Sequence, residues 1–167
     1  YKDFVVSSTR VRRLVSEGRV DEASALLGHS YFLDGMVVRG DQRGRTIGFP
    51  TANLCGDNEL VPPHGVYATT VTIDGIVRPS ITNVGTRPTF DGRTTTVETH
   101  LLDFEGNVYG QVVTVELLHR LRGEQRFDGL EALLPAGQAA QVEGEQQAGV
   151  DLIAVRAVLD HVLGRPA

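Results

Sequence analysis

From residue 31 to residue 117 the sequence alternates between strand-like runs and turn residues, with no helical period between them. The pair Asp74-Gly75 divides two β-rich runs and is a strong signal for a two-residue hairpin turn. Several strands joined by turns, without intervening helices, predict an antiparallel barrel or sandwich. Pro79 cannot donate to a strand ladder, so we expect it at a strand edge or a bulge. The predicted strands are Tyr31–Arg39, Gly65–Ile73, Ile76–Val84, Thr94–Asp103 and a last run over Val113–Leu117.

Helical patterns are confined to the two ends of the chain. Ser7 or Ser8 can cap a first helix that runs to Glu17. Asp21 can cap a second helix that runs to Leu27, and a glycine follows each helix and can end it. Neither predicted helix is strongly amphipathic, so we expect this part of the chain to pack on another part of the molecule.

Towards the C-terminus, an apolar stripe over residues 150–162 predicts a further helix, and Asp128 can cap a shorter helix before it. The stretch between them, residues 135–149, is rich in Gly, Ala and Gln. This composition predicts either an irregular loop or a weak helical extension.

The charge and hydropathy patterns exclude two classes of partner. The net charge of -5 and the pI of about 5.5 do not suggest the concentrated basic face of a nucleic-acid-binding protein. No apolar run approaches the ~18 residues that span a bilayer, and the first residues lack a signal-peptide pattern. We therefore expect neither nucleic acid nor a membrane as a partner. The chain begins with Tyr1 rather than Met, so we expect a processed or excised segment of a longer polypeptide.

Two residue types bear on location and ligands. Cys55 is the single cysteine, which excludes an internal disulfide and indicates a reducing compartment, so we expect a cytoplasmic protein. We expect Cys55 itself to be a small buried apolar residue. Lys2 is the single lysine among the 16 Lys and Arg residues, so any cationic contact to a phosphate is expected from arginine.

The densest signal for a ligand site is a glycine-rich run after the first predicted strand. Its three glycines let the backbone approach a ligand closely and aim several N–H groups at one anion, and its two arginines suit phosphate oxygens. A glycine-rich hairpin loop without a ligand is the alternative. A Walker A loop is excluded, because its glycine spacing and its lysine are both missing. The residues of the run are Gly40, Arg43, Gly44, Arg45 and Gly48.

Thr51 and Asn53 follow this run closely. On an extended backbone, alternate residues face the same side, so the two side-chain oxygens point the same way. Hard oxygen ligands of this type suit Mg²⁺, which takes one or two protein ligands and completes its shell with water and phosphate.

Glu98 lies in a predicted strand, on the face opposite Val97 and Leu101. We expect this carboxylate to point into the barrel mouth. Burying a charge is costly and needs a reason, and a general base that takes a hydroxyl proton is one. An outward-facing, solvated glutamate is the alternative. His100 shares the face of Glu98 and could either orient it or satisfy a local hydrogen bond.

A third candidate site lies where the last predicted strand gives way to helix. Phe127 could stack on a flat ring system, and the guanidinium of Arg122 could bind an anion. The alternative is a polar connector with one anchoring aromatic residue.

Several of these motifs together resemble the riboflavin kinase family over about residues 30–134. The most distinctive is Gly44–Asn53, with its Pro-Thr-Ala-Asn core. Ser7–Arg12 in turn resembles a stretch near the end of the adenylyltransferase module of bifunctional bacterial FAD synthetases. The further motifs, in the order of the family, are Pro63–Ala68, Asn83–Phe90, Val97–His100, Leu102–Phe104, Tyr109-Gly110 and Leu121–Asp128.

The resemblance implies transfer of the γ-phosphoryl group of ATP to riboflavin, which gives FMN and ADP, with Mg²⁺ as the metal. Glu98 would be the catalytic base, and Thr51 and Asn53 would hold Mg²⁺ together with the phosphates. ATP would contact Gly40, Gly44, Arg45, Thr46, Gly48, Thr51, Leu101, Asp103 and Tyr109. The flavin would contact Arg122, Gln125 and Phe127, which would lie on a mobile loop.

The resemblance also implies a mainly β fold, a six-stranded antiparallel Greek-key barrel followed by a C-terminal helix. Residues 1–29 would be a helical remnant of the adenylyltransferase module, which would be the partner of the kinase in the parent chain. The rest of that module is not in this sequence, so FAD synthesis is not expected from it. The kinase domain would take residues 30–167, with the barrel at 30–126 and the helical part at 128–163.

One departure from the family concerns the segment after Leu134. The family continues there into a helix, whereas this sequence has Pro135-Ala136-Gly137 and a polar stretch, so we expect an insertion or a divergent helix. Two other interpretations of the whole chain are a non-catalytic flavin- or nucleotide-binding barrel and a barrel that serves only structure or interaction.

Overall fold

The computed structural model describes residues 6–39, 52–102 and 104–123, with the side chain of Arg122 excepted. In these residues the chain forms two short helices followed by six strands. None of the helices they form has both the length and the apolar character needed to cross a membrane. The elements are α1 (Ser8–Ser16), α2 (Val20–Leu27), β1 (Tyr31–Val38), β2 (Ala52–Cys55), β3 (Gly65–Ile73), β4 (Ile76–Thr89), β5 (Gly92–Leu101) and β6 (Val112–Arg122).

The six strands close into a barrel in the order β1-β2-β5-β4-β3-β6. Each neighbouring pair is antiparallel, and β6 closes the barrel by pairing with both β1 and β3. The predicted six-stranded antiparallel barrel is therefore confirmed, whereas its Greek-key connectivity stays a prediction. The predicted C-terminal helix, within residues 128–163, lies outside the described residues.

β3 and β4 form the predicted hairpin, with Asp74 and Gly75 as its turn residues. Both have positive φ, 51° and 76°, as in the tight turns that match the twist of paired strands. β4 runs to Thr89, beyond the predicted end at Val84, because its second half pairs with β5. Pro79 lies one position past the last pair of the β4–β5 ladder, so it sits at the end of that ladder as expected.

Inward-facing side chains fill the barrel in two apolar clusters. All of them are at most 8% exposed, so the barrel is a packed core and not an open channel. The cluster nearer the helices comprises Val20, Leu33, Tyr67, Val84, Val97 and Leu117. The cluster at the other end comprises Val37, Val71, Ile73, Val108, Val113 and Val115. This second end, where β1 ends and residues 102–111 join β5 to β6, is called the barrel mouth below.

A chain of four buried hydroxyl groups lies between the two clusters. The Thr69 hydroxyl is 2.7 Å from that of Ser80 and 2.8 Å from that of Thr82. Thr82 is in turn 2.9 Å from the hydroxyl of Thr99, and all four residues are at most 4% exposed. Because each hydroxyl has a partner, these polar groups are tolerated inside the barrel.

The helices α1 and α2 close the end of the barrel opposite the mouth. Val20, at the start of α2, is fully buried within the first barrel cluster. Val15 and Ala23 are buried where the two helices meet. Ser7 caps α1 as predicted, since its Oγ accepts the Arg10 N–H at 3.3 Å. The expectation that this segment packs on another part of the molecule is confirmed.

The start of α2 differs from the prediction. Arg19 occupies the capping position and makes no capping bond through its side chain, so the prediction that Asp21 caps this helix is wrong. The Arg19 guanidinium instead donates two hydrogen bonds of 2.7 Å to Glu22, and the Ala23 N–H donates to the Arg19 carbonyl at 3.0 Å where the helix begins. Asp21 lies in the first turn, where negative charge is favourable, and faces His119 of β6 at 3.5 Å.

Two tyrosines attach the segment between β2 and β3 to the helical end of the barrel. Tyr31 donates its hydroxyl to the Leu60 carbonyl at 2.7 Å, and Tyr67 donates to the Pro63 carbonyl at 2.6 Å. Burial raises the pKa of both phenols above the usual value, so both stay protonated and able to donate at neutral pH.

Cys55 is exposed, so the prediction that it is buried is wrong. The reason lies in the alternation of β2, in which Leu54 packs against both barrel clusters. The residues on either side of Leu54 consequently face outward, and Cys55 is one of them.

Candidate functional site

Two of the predicted site residues lie opposite each other on neighbouring strands. Asn53 of β2 pairs with Glu98 of β5, which places their Cβ atoms about 5 Å apart. Both residues are half-buried. The barrel therefore brings together the predicted metal ligand and the predicted catalytic base, which are far apart in the sequence.

Asn83 of β4 flanks Glu98 on its other side. The carboxylate therefore lies between two carboxamides, and within the described residues it has no hydrogen bond or ion pair of its own. Its lone pairs are available to a proton donor. Sequence reasoning did not assign Asn83 to the site, and its place in the Asn83–Phe90 motif was the signal that could have found it.

Glu98 faces the outside of the barrel. Its neighbours Val97 and Thr99 are 7% and 4% exposed and point inward, so strand alternation turns Glu98 to the outer face. The expectation that Glu98 points into the barrel mouth is wrong, and the outward-facing alternative holds, although the residue is half-buried rather than solvated. His100 shares this outer face, as predicted.

The register row of Glu98 continues from β4 across β3 to β6, where the pairing of β3 with β6 has a register shift next to Val66. Val66 pairs with Asn83, and Arg122 of β6 pairs with Val66. Three spacings of about 4.8 Å separate Glu98 from Arg122 along the curved sheet, or roughly 14 Å. The backbone position of the predicted flavin residue Arg122 thus lies in the same register row as the predicted base.

Most of the other predicted residues lie outside the described part of the chain. The strands on either side of the glycine-rich run, β1 and β2, are described. Val38, at the end of β1, pairs with Asn53 of β2, so these two strands meet beside the candidate site. The predicted residues that lie outside the described part are Gly40, Gly44, Arg45, Thr46, Gly48, Thr51, Asp103, Gln125 and Phe127.

An open cavity lies at the barrel mouth, and two of the predicted nucleotide residues, Leu101 and Tyr109, line it together. Its walls are mainly apolar and include two aromatic rings, which suits a flat heterocycle such as a nucleobase. Phe104, in the Leu102–Phe104 motif, was not assigned to a site by the sequence analysis. The full lining is Ala52, Thr99, Leu101, Phe104, Gly106, Val108 and Tyr109.

The cavity and the outer row adjoin at one pair of strands. Ala52 and Thr99 pair with each other and line the cavity. The next residues, Asn53 and Glu98, pair on the outer face. A ligand that passes over the rim between β2 and β5 would therefore reach both.

Each aromatic ring of the cavity has an arginine stacked on it. The Arg78 Cζ atom lies 4.7 Å from the centre of the Phe104 ring. The Arg39 Cζ atom lies 5.4 Å from the centre of the Tyr109 ring. Both distances fall within the range of cation–π attraction.

The available side chains suit a metal ion to which the protein contributes only one or two ligands. The described residues contain no group of three or more His, Cys, Asp and Glu side chains that could hold a metal ion. Mg²⁺ in phosphate-transfer sites needs only one or two protein oxygens, with water and phosphate supplying the others. The Asn53 carboxamide, half-buried beside the Glu98 carboxylate, fits that requirement.

A family model described as riboflavin kinase, or flavokinase, matches residues 27–143. A bifunctional riboflavin kinase/FMN adenylyltransferase of Bacillus subtilis is 39% identical over 153 residues, which are 89% of this chain and 47% of the relative. The protein of the same name from Escherichia coli strain K12 is 43% identical over 131 residues, 77% of this chain and 41% of the relative. The chain thus spans less than half the length of these relatives.

A solved structure from Streptococcus pneumoniae, described as a macrolide-efflux protein, is also similar. It matches with a TM-score of 0.74 and 38% identity over 84% of this chain and 47% of that chain. The match supports the barrel fold, and the efflux description applies to that protein.

Proposed function

Because this chain belongs to the riboflavin kinase family, we propose that it transfers the γ-phosphoryl group of ATP to the ribityl 5′-hydroxyl of riboflavin, which yields FMN and ADP. The observation that carries the proposal is the outer row in which Glu98 lies between Asn53 and Asn83. Phosphoryl transfer depends mainly on positioning and charge neutralisation, and such a row supplies a base and two amide groups on neighbouring strands.

Glu98 is the proposed general base. A strand carboxylate that is half-buried and has no partner among the described residues can accept the proton of the riboflavin hydroxyl as that oxygen attacks phosphorus. The electron pair of the broken bond then stays with the oxygen of ADP. The outer position of Glu98 leaves the attacking hydroxyl free to approach from outside the barrel.

The mouth cavity is the proposed site for the base of ATP, with Leu101 and Tyr109 among its walls. The triphosphate would pass over the rim between Ala52 and Thr99 towards Asn53. We propose that its oxygens contact backbone N–H groups and side chains of the glycine-rich run. The proposed contacts outside the described residues are Gly40, Gly44, Arg45, Thr46, Gly48, Thr51 and Asp103.

Thr51 and Asn53 are the proposed protein ligands of Mg²⁺. When bound, Mg²⁺ would neutralise the charge that develops on the phosphate oxygens. Asn53 is well placed for this role, because it adjoins both the cavity rim and Glu98.

The proposed flavin contacts are Arg122, Gln125 and Phe127. Support is limited to the backbone register of Arg122, which lies roughly 14 Å from Glu98 along one register row, at about three strand spacings.

The longer protein is a further part of the proposal. Both bifunctional relatives carry an FMN adenylyltransferase in addition to a riboflavin kinase. We propose that residues 1–29 continue from such a module and that the kinase domain occupies residues 30–167.

The direct test is to incubate the chain with riboflavin, ATP and Mg²⁺ and to separate the flavins. We expect FMN to form with one ADP for each FMN, and no FAD. A chain that binds riboflavin or FMN without converting riboflavin would contradict the proposal and would indicate a non-catalytic flavin-binding barrel.

A further inference from the structure

Phe104 is held in place from two sides at the barrel mouth. The Arg78 guanidinium stacks on the ring at 4.7 Å. A side chain at Gly106 would have its Cβ only 2.8 Å from the Phe104 Cζ atom, so the absence of a side chain there is what lets the ring lie in its present position. The ring forms part of the cavity wall.

Arg78 reaches this ring from the inward-facing row of β4. It pairs with Val71, which belongs to the barrel cluster at the mouth. Arg78 is half-buried, and its Nε atom is buried without a hydrogen-bond partner among the residues that the structure describes. Leaving such a donor unsatisfied costs free energy, and the cation–π contact with Phe104 is a favourable interaction that offsets part of this cost.

Arg78 is not among the residues that line the cavity. The guanidinium therefore contacts the Phe104 ring, which lines the cavity, without lining the cavity itself. An arginine in this position would act on a bound base through the ring that it contacts. This arrangement differs from a direct contact between arginine and phosphate.

We infer that Arg78 is a positioning residue of the nucleotide site, which holds the Phe104 ring as a flat wall for the base of ATP. The inference rests on the proposed function, because it assigns the mouth cavity to the base. The base would stack on the ring, whereas the phosphates would lie over the rim near Asn53. Loss of the guanidinium would free the ring to turn and would weaken binding of the base alone.

The test compares Arg78→Met, which keeps the length of the side chain and removes the cation, with the wild-type chain. We expect the KM for ATP to rise about threefold to tenfold, while kcat and the KM for riboflavin stay near wild-type values. Inhibition by adenosine should weaken by a similar factor, and inhibition by inorganic triphosphate should not change. Arg93→Met, at an exposed position on β5, is the matched control and should behave as wild type.

A double-mutant cycle separates positioning from direct contact. If Arg78 acts through Phe104, Arg78→Met should have no further effect on the KM for ATP in a Phe104→Ala background. Additive effects, a loss of triphosphate inhibition, or an unchanged KM in a folded Arg78→Met chain would each overturn the inference. Failure of the wild-type chain to make FMN would instead refute the proposed function.

Discussion

Thr82 is one of the two central members of the hydroxyl chain inside the barrel, with partners at 2.8 Å and 2.9 Å. Thr82→Val keeps the shape of the side chain but removes both hydrogen bonds and leaves the Thr99 hydroxyl without its partner in the chain. We expect a loss of about 1–3 kcal/mol in the free energy of unfolding, because a buried polar group is left unsatisfied. Urea denaturation measures this change.

Thr94→Val is the matched control for this prediction, since Thr94 is exposed on β5. Its effect on unfolding should stay within roughly 0.5 kcal/mol. Equal stability of the two variants would show that the hydroxyl chain contributes nothing to the fold.

The orientation of single residues was the least predictable feature. The alternating sequence pattern correctly placed Val97 and Thr99 on one face of β5 and Glu98 on the other. It did not indicate which of the two faces is buried in the core. Cys55 shows the same difficulty, because its outward position follows from the inward packing of Leu54. Burial of one face is decided by the pairing of all strands, and a local pattern does not contain that information.

At the scale of elements, α2 contributes to the barrel core through Val20, and α1 packs on α2. Val20 is fully buried against barrel residues, although it precedes the region that the family model matches. Val20→Ala should lower the free energy of unfolding by about 2 kcal/mol, from lost burial and the cavity left behind. A thermal unfolding scan would detect it as a lower Tm.

Val6→Ala provides the comparison, because Val6 is 49% exposed just before α1. We expect almost no change in Tm for that variant. If both variants unfold at the same temperature, the helices do not contribute to the barrel core.

Elements with local signals were predicted well. Asp74 and Gly75 marked the hairpin because their positive φ angles suit few other residues. Ser7 marked the start of α1 for a similar reason, since its side chain bonds the first turn. The start of α2 was missed because Arg19, at the capping position, makes no capping bond, so no capping residue marks this start in the sequence.

At the scale of the whole molecule, the candidate site exists because the barrel closes out of sequence order. β2 pairs with β5, and this places Asn53 beside Glu98. No local pattern predicts that pairing, and the family resemblance alone connected the two residues. Glu98, which is the proposed base, then lies beside Asn53 at the rim of the mouth cavity.

The measurement that tests this account most directly is the rate of FMN formation by Glu98→Gln at saturating ATP and riboflavin. Glutamine keeps the shape of the side chain but cannot accept the hydroxyl proton, so kcat should fall by about 10²–10⁴-fold while ATP affinity is kept. The control variant Glu59→Gln, which changes an exposed side chain, should form FMN at the wild-type rate. A Glu98→Gln chain that makes FMN at a near wild-type rate would contradict the assignment of Glu98 as the base.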